Sequence, residues 1–275
     1  MTPSRRGLLI GLSATGLAGS ALAAGPLAIA GRQVQGGYVI GRTAPGAAIR
    51  LDGQPVGHAS AQGFYIIGFD RDAAAGAVLE VSGHGAQTLA ITPVVYDVQH
   101  VNGVPQDTVT PTDPALLERI KREAALKAAA FASVAEGDWF KDGFRFPLDH
   151  FVVSGRFGNQ RVLNGTPSRP HYGIDLAAPQ GTPIHAPAPG KVVLAEPHLH
   201  YEGGLTMIDH GQGLISCCLH QSAQMVKTGD FVTTGQRIGS VGMTGRATGP
   251  HLCWRLKWRG RNLDPSLLVG GKAPA

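Results

Sequence analysis

The chain has 275 residues, of which 43% are hydrophobic and 16% charged, and its formal net charge is +5. This balance excludes an intrinsically disordered chain, and no basic stripe with interleaved aromatic residues indicates nucleic-acid binding. Abundant glycine (39) and proline (19), beside few aromatic residues, favour a mainly β fold with many turns.

The N-terminus is typical of an export signal. Arg5 and Arg6 directly precede an apolar run over 8–24, which is too short and too rich in Gly, Ser and Ala to be a good membrane span. The arginine pair resembles a twin-arginine signal. We therefore expect residues 1–23 to be a signal peptide, and the mature protein to be periplasmic with no stable membrane insertion. A short membrane anchor is the less favoured alternative.

Residues 25–95 show short alternating apolar runs that are broken by turn residues. An Asp-Gly pair at 52–53 is a hairpin signal between two of them. The segment resembles a small immunoglobulin-like β-sandwich, and without a catalytic constellation it is expected to be a spacer or positioning module. The predicted strands are 38–41, 47–51, 64–67 and 77–81.

Residues 96–140 are expected to form a linker with one connecting helix at about 114–135. Asp113 can cap this helix, and Pro114 suits its first position because the missing N–H costs nothing there. Apolar residues then recur near helical spacing. β signals return over 144–270 and predict an antiparallel β domain that carries the chemistry, with strands at 192–194, 205–208, 214–219 and 237–241.

Candidate ligands lie in two short motifs of this last domain. His171 and Asp175 flank a flexible glycine, and imidazole and carboxylate are ordinary zinc ligands. His251 and Cys253 are two apart on a predicted strand, so both should face the same side. The same rule would place Cys218 and His220 together on another strand. We expect all six side chains to converge on one site.

The stretch from 144 to 268 resembles the catalytic domain of the lysostaphin-type (LytM-like) zinc metalloendopeptidases, because many sequence elements recur in the same order. They include Ser154-Gly155-Arg156-Phe157-Gly158, His171-Tyr172-Gly173-Ile174-Asp175, Asp209-His210-Gly211, Leu219-His220 and Thr248-Gly249-Pro250-His251.

The resemblance implies site roles for this chain. His171 and Asp175 would bind zinc, and Cys253 stands where the family has its third ligand, a histidine. His220 and His251 would be catalytic, acting on the attacking water or the transition state. Cys218 replaces a family tyrosine, so both departures from the pattern are cysteines.

The cysteines leave three arrangements open. A thiolate is a good zinc ligand, so His171, Asp175 and Cys253 could form a three-ligand site with an open position. Alternatively, Cys218 and Cys253 could form a disulfide in an oxidising compartment, or Cys218 could be a fourth ligand that closes the site.

The function implied by the resemblance is that of an exported zinc endopeptidase that hydrolyses peptide cross-links of peptidoglycan. The alternative is a degenerate, non-catalytic module that binds the cell wall or activates a partner amidase. The presence of His171, Asp175, His220 and His251 favours the enzyme, whereas the change at Cys253 favours the alternative. A structural wall-binding protein is a third hypothesis that no specific feature supports.

Overall fold

The computed structural model describes residues 27–274, and the predicted signal peptide lies outside them. The predicted mainly β fold is confirmed: antiparallel strands dominate, and the described residues contain one α-helix. No helix among these residues has the length and the apolarity that are needed to cross a membrane.

The first seven strands form two antiparallel sheets, ordered β1-β2-β5 and β4-β3-β6-β7. Alternate residues point inward, as Leu79 and Val81 of β6 illustrate, and both sheets contribute to one apolar core. The immunoglobulin-like topology stays a prediction. The strands are β1 Ala28–Arg32, β2 Tyr38–Arg42, β3 Ala48–Leu51, β4 Gln54–His58, β5 Phe64–Gly68, β6 Gly76–Val81 and β7 Gly85–Ala90.

The connecting segment contains β8 (Val98–Val101), a 3₁₀ turn (Gln106–Thr108) and helix α1 (Pro114–Phe131). Asp113 caps α1 by accepting a hydrogen bond from the Ala115 N–H at 3.0 Å.

Helix α1 ends four residues before the predicted limit because the chain beyond it bonds elsewhere. The Ser133 hydroxyl and the Ala135 N–H both donate to Asp209 Oδ2, at 2.7 and 2.8 Å. This pairing draws the backbone away from the helical path.

The remaining strands centre on a ten-stranded sheet with the main order β17-β14-β15-β16-β19-β12-β9. Strands β10 and β11 form a separate small sheet with β8, which pairs parallel to β10. The strands are β9 Val152–Gly155, β10 Gln160–Leu163, β11 Thr166–Pro167, β12 Gly173–Ala177, β13 Pro183–His185, β14 Gly190–Leu199, β15 Gly203–Asp209, β16 Leu214–Gln224, β17 Phe231–Val232, β18 Arg237–Val241, β19 His251–Trp258 and β20 Arg261–Leu263.

The two halves of the chain share one apolar core. The Gln212 side chain joins them by donating to the Phe64 carbonyl at 2.9 Å and accepting from the Ile66 N–H at 3.3 Å. The division into residues 25–95, 96–140 and 144–270 stays a prediction.

Candidate metal centre

Three side chains of metal-ligand type converge at the centre of the large sheet. Asp175 on β12 lies directly opposite Cys253 on β19, so their side chains share one face. His171 comes just before β12. All three are buried, and their ligand atoms lie within 4.8 Å of one another. The predicted ligand residues therefore lie together.

The loop before β12 fixes the imidazole of His171. Its Nδ1–H donates to the Arg156 carbonyl at 3.1 Å, which leaves the Nε2 lone pair aimed at the other two residues. The backbone of His171 also bonds to Gly158 and Asn159, at 2.7 and 2.8 Å. Burial lowers the pKa of His171, which favours the neutral form that a metal ion needs.

Asp175 presents one unpartnered oxygen to this point. Burial opposes its ionisation, but His171, Arg161 and His251 together hold the pKa of Asp175 well below its usual range. Oδ2 is paired with Arg161. Oδ1 is buried without a hydrogen-bond partner among the described residues, although it lies 3.0 Å from His171 Nε2.

This geometry fits a zinc ion. With His171 donating through Nδ1, its Nε2 and Asp175 Oδ1 are two acceptors facing each other, and their contact needs a cation or a proton between them. Cys253 Sγ lies 3.3 Å from the same Nε2. A nitrogen, an oxygen and a sulfur atom around one point form a donor set that zinc accepts.

The thiol of Cys253 is protonated when no metal is bound, because burial raises its pKa to about 12. A metal ion binds the thiolate, so its binding here must release this proton.

Two histidines lie beside the three ligands. The rings of His220 and His251 have centroids 4.7 Å apart, and His251 Nε2 is 3.8 Å from Asp175 Oδ1. Each Nδ1–H donates to a carbonyl at 2.8 Å, to Thr244 for His220 and to Gly249 for His251. Both Nε2 atoms are therefore free to accept a proton.

The prediction that Cys218 and His220 share a face is wrong, because β16 contains a bulge. Leu219 pairs with Cys253 and Cys218 with Trp254, so Cys218 faces away from the site. Beyond Cys218, β16 holds one residue more than its partner β15 before the register resumes. His220 adopts a left-handed φ of 64° there, and its ring meets that of His251.

Because Cys218 faces away from the site, two alternatives from the sequence are wrong: the disulfide with Cys253 and the role of Cys218 as a fourth ligand. Cys218 belongs to the apolar core on the far side of the sheet and can neither bridge Cys253 nor complete its ligand set. All three cysteines are free. The thiol that shares the buried cluster of Cys253 is that of Cys217.

A cavity of about 260 Å³ opens beside Asp175 and His251. The connecting segment supplies one wall, through Gln99, Val101 and Val104.

Strand β10 lines the cavity with Arg161 and Leu163. The segment 246–251 closes the other side. The contribution of Arg246 was not predicted, since a single arginine in a loop has no distinguishing sequence signal.

The comparisons with known proteins agree with this geometry. The model of the family described as "Peptidase family M23" matches residues 169–265. A solved structure from Pseudomonas aeruginosa, named as a candidate M23 peptidase, shares 30% identity and a TM-score of 0.68 over 87% of this chain and 96% of its own. The chain belongs to peptidase family M23. The family resemblance inferred from the sequence is thus confirmed.

Curated M23 relatives match a smaller part of the chain. The peptidoglycan DD-endopeptidase ShyA of Vibrio cholerae is 41% identical over 46% of this chain and 30% of its own length. The DD-carboxypeptidase/endopeptidase Mpg of Neisseria meningitidis is 39% identical over 46% of this chain and 29% of its own. The chain thus spans about a third of the length of these relatives.

Proposed function

We propose that this M23 protein is an exported, periplasmic zinc peptidase that hydrolyses peptide cross-links of peptidoglycan. The observation that carries the proposal is the meeting of His171 Nε2, Asp175 Oδ1 and Cys253 Sγ at one buried point beside an open cavity. The names of the related peptidoglycan endopeptidases support the substrate class. The proposed bond is the direct cross-link between stem peptides.

His171, Asp175 and Cys253 are the proposed zinc ligands. When bound, zinc would polarise the scissile carbonyl and lower the pKa of a water molecule. Arg156 keeps the His171 lone pair directed inward, and Arg161 holds the second oxygen of Asp175. Two of the three ligands are thereby oriented by neighbouring groups.

His251 is the proposed acceptor of the proton from the attacking water. Its Nε2 lies 3.8 Å from Asp175 Oδ1, so an imidazolium at this position would be paired with a carboxylate. Burial and the neighbouring His251 lower the pKa of His220 to about 3, so His220 resists taking a proton. After accepting the proton, His251 can return it to the leaving amine. The neutral His220 lies next to it and keeps its ring in place.

A non-catalytic role is the second candidate, and one observation favours it. A buried thiol with a raised pKa stands where the resemblance implies a histidine, so the site must lose a proton before it can bind metal. A module without metal would bind the wall or activate a partner amidase.

Digestion of purified peptidoglycan with and without a chelator decides between the two. For the enzyme, we expect the parent and Cys253→His to release soluble fragments only without chelator, and His251→Ala to release far less. Intact peptidoglycan with the parent and with Cys253→His, each loaded with zinc, would contradict hydrolysis and favour the binding module.

A further inference from the structure

Two arginines face the cavity beside the metal centre, and they come from different parts of the chain. Arg161 is on β10, and Arg246 lies in the segment that leads into β19. The cavity has an apolar side as well, formed by Val101, Val104 and Leu163. Such a surface suits a ligand with an aliphatic part and a negative charge.

Among the residues that the structure describes, Arg246 forms no ion pair. Among the described residues, no carboxylate oxygen lies within 4.0 Å of its guanidinium, although Arg161 has Asp175 as a partner. If the proposed function holds, Zn²⁺ is balanced by the carboxylate of Asp175 and the thiolate of Cys253. The carboxylate of Asp175 is then shared between zinc and Arg161, and Arg246 has no ion-pair partner at the cavity.

Arg246 is held in place rather than free in solvent. One of its terminal N–H groups donates to the Thr108 carbonyl at 2.9 Å, and its guanidinium carbon lies 5.0 Å from the centre of the Tyr201 ring. A guanidinium that is fixed in this way loses little conformational entropy on binding an anion. Its remaining N–H groups are available to a ligand.

We propose that Arg246, together with Arg161, binds a carboxylate of the substrate, so that the cavity selects an anionic peptide. The inference rests on the proposed function and deepens it. An arginine fork binds carboxylates through paired, charge-assisted hydrogen bonds. The carboxylate is either the C-terminal group of the peptide or a side-chain group near the scissile bond.

Three forms of one cross-linked muropeptide dimer distinguish the two candidate carboxylates: the free acid, the C-terminal amide and the side-chain amide. Binding is measured by calorimetry in a His220→Ala background, because His220 does not line the cavity and its loss slows cleavage. Amidation of the recognised carboxylate should weaken binding roughly tenfold or more, since hydrogen bonds to charged groups are the strong ones.

Arg246→Gln should bind all three forms with the same low affinity, and Arg246→Lys should retain part of the preference. Arg122→Gln, on an exposed position of α1, is the matched control and should behave like its background. Equal binding of the three forms by the background protein would overturn the proposal. Arg246→Gln could also bind all three forms more weakly by the same factor and still distinguish the amidated forms from the free acid. This result would also overturn the proposal, because it would show that Arg246 only supports the structure of the cavity.

Cleavage by the zinc-loaded parent is measured separately on the same dimers. Cleavage without any effect of amidation on binding overturns the carboxylate site and leaves the peptidase function. Binding that is sensitive to amidation without cleavage of any form overturns the peptidase function and leaves the carboxylate site.

Discussion

Removal of zinc should destabilise the protein in a way that depends on Cys253. The three proposed ligands are 1–7% exposed and come from the loop before β12, from β12 and from β19. A bound ion would therefore connect the stretch 171–175 to β19, in the folded state only. Ligands that bind only the folded state stabilise it by RT ln(1 + [L]/Kd).

The size of this effect follows from the free metal concentration. At a free zinc level of about 1,000 times Kd, the stabilisation is about 4 kcal/mol. For a chain of this size, 1 kcal/mol changes the Tm by roughly 2–4 °C. The product of these two values is the expected effect: a chelator should lower the Tm of the parent by roughly 8–16 °C.

Thermal unfolding with excess zinc and with chelator tests this expectation on Cys253→Ser and Cys218→Ser. The two residues are both fully buried on neighbouring strands and differ in the face that they occupy. Cys218→Ser should lower the Tm in both conditions and retain the chelator effect. Cys253→Ser should show no chelator effect, because a hydroxyl is a poor zinc ligand. Metal analysis should find one zinc per chain in the parent and in Cys218→Ser.

A chelator effect of the same size in Cys253→Ser would refute the assignment of Cys253 as a ligand. A parent that unfolds at one temperature in both conditions, and that contains no zinc, would refute the metal centre itself.

Three buried positions other than the proposed ligands give further tests. Burial lowers the pKa of His210 to about 4. Between pH 6.5 and 4, the unfolded chain therefore binds a proton that the folded chain does not. Urea titrations should show the free energy of unfolding falling by up to about 1.4 kcal/mol for each unit by which the pH decreases, and His210→Asn should lack this contribution. Gly158→Ala should lower the Tm more than Gly165→Ala. Both glycines have a φ above 80°, but only at Gly158 would a Cβ meet the Tyr96 side chain, at 2.0 Å. Equal decreases in Tm for the two variants would contradict this contact. Leu176→Ala should cost about 2–5 kcal/mol in urea unfolding, because Leu176 is fully buried in β12, and a loss below 1 kcal/mol would show that the core collapses around the gap.

Much of the fold could be predicted because the strands alternate and glycines mark their ends. The predicted strand 205–208 is the centre of β15, and the predicted strand 38–41 lies within β2. The pairing of β8 with β10 was missed, since β8 has four residues and its partner lies about sixty residues further along the chain. Such pairing depends on tertiary contacts that local sequence does not encode.

The metal centre was predictable where the strand is regular. Asp175 and Cys253 are paired across β12 and β19, so the rule of alternating faces applies without correction. The same rule failed at Cys218 because the bulge in β16 depends on a left-handed backbone at His220, a conformation that is uncommon for residues other than glycine. Local strain of this kind is typical of functional sites.

The contact of Gly68 with the second half of the chain limits how freely the two halves could be exchanged with those of other M23 proteins. A Cβ at this glycine would lie 2.9 Å from the Leu263 side chain and 3.1 Å from that of Trp258. The two surfaces leave no space for an added methyl group, so a chimera would need a smaller residue on one side for every larger one on the other. The N-terminal half and the peptidase half should therefore evolve as a matched pair.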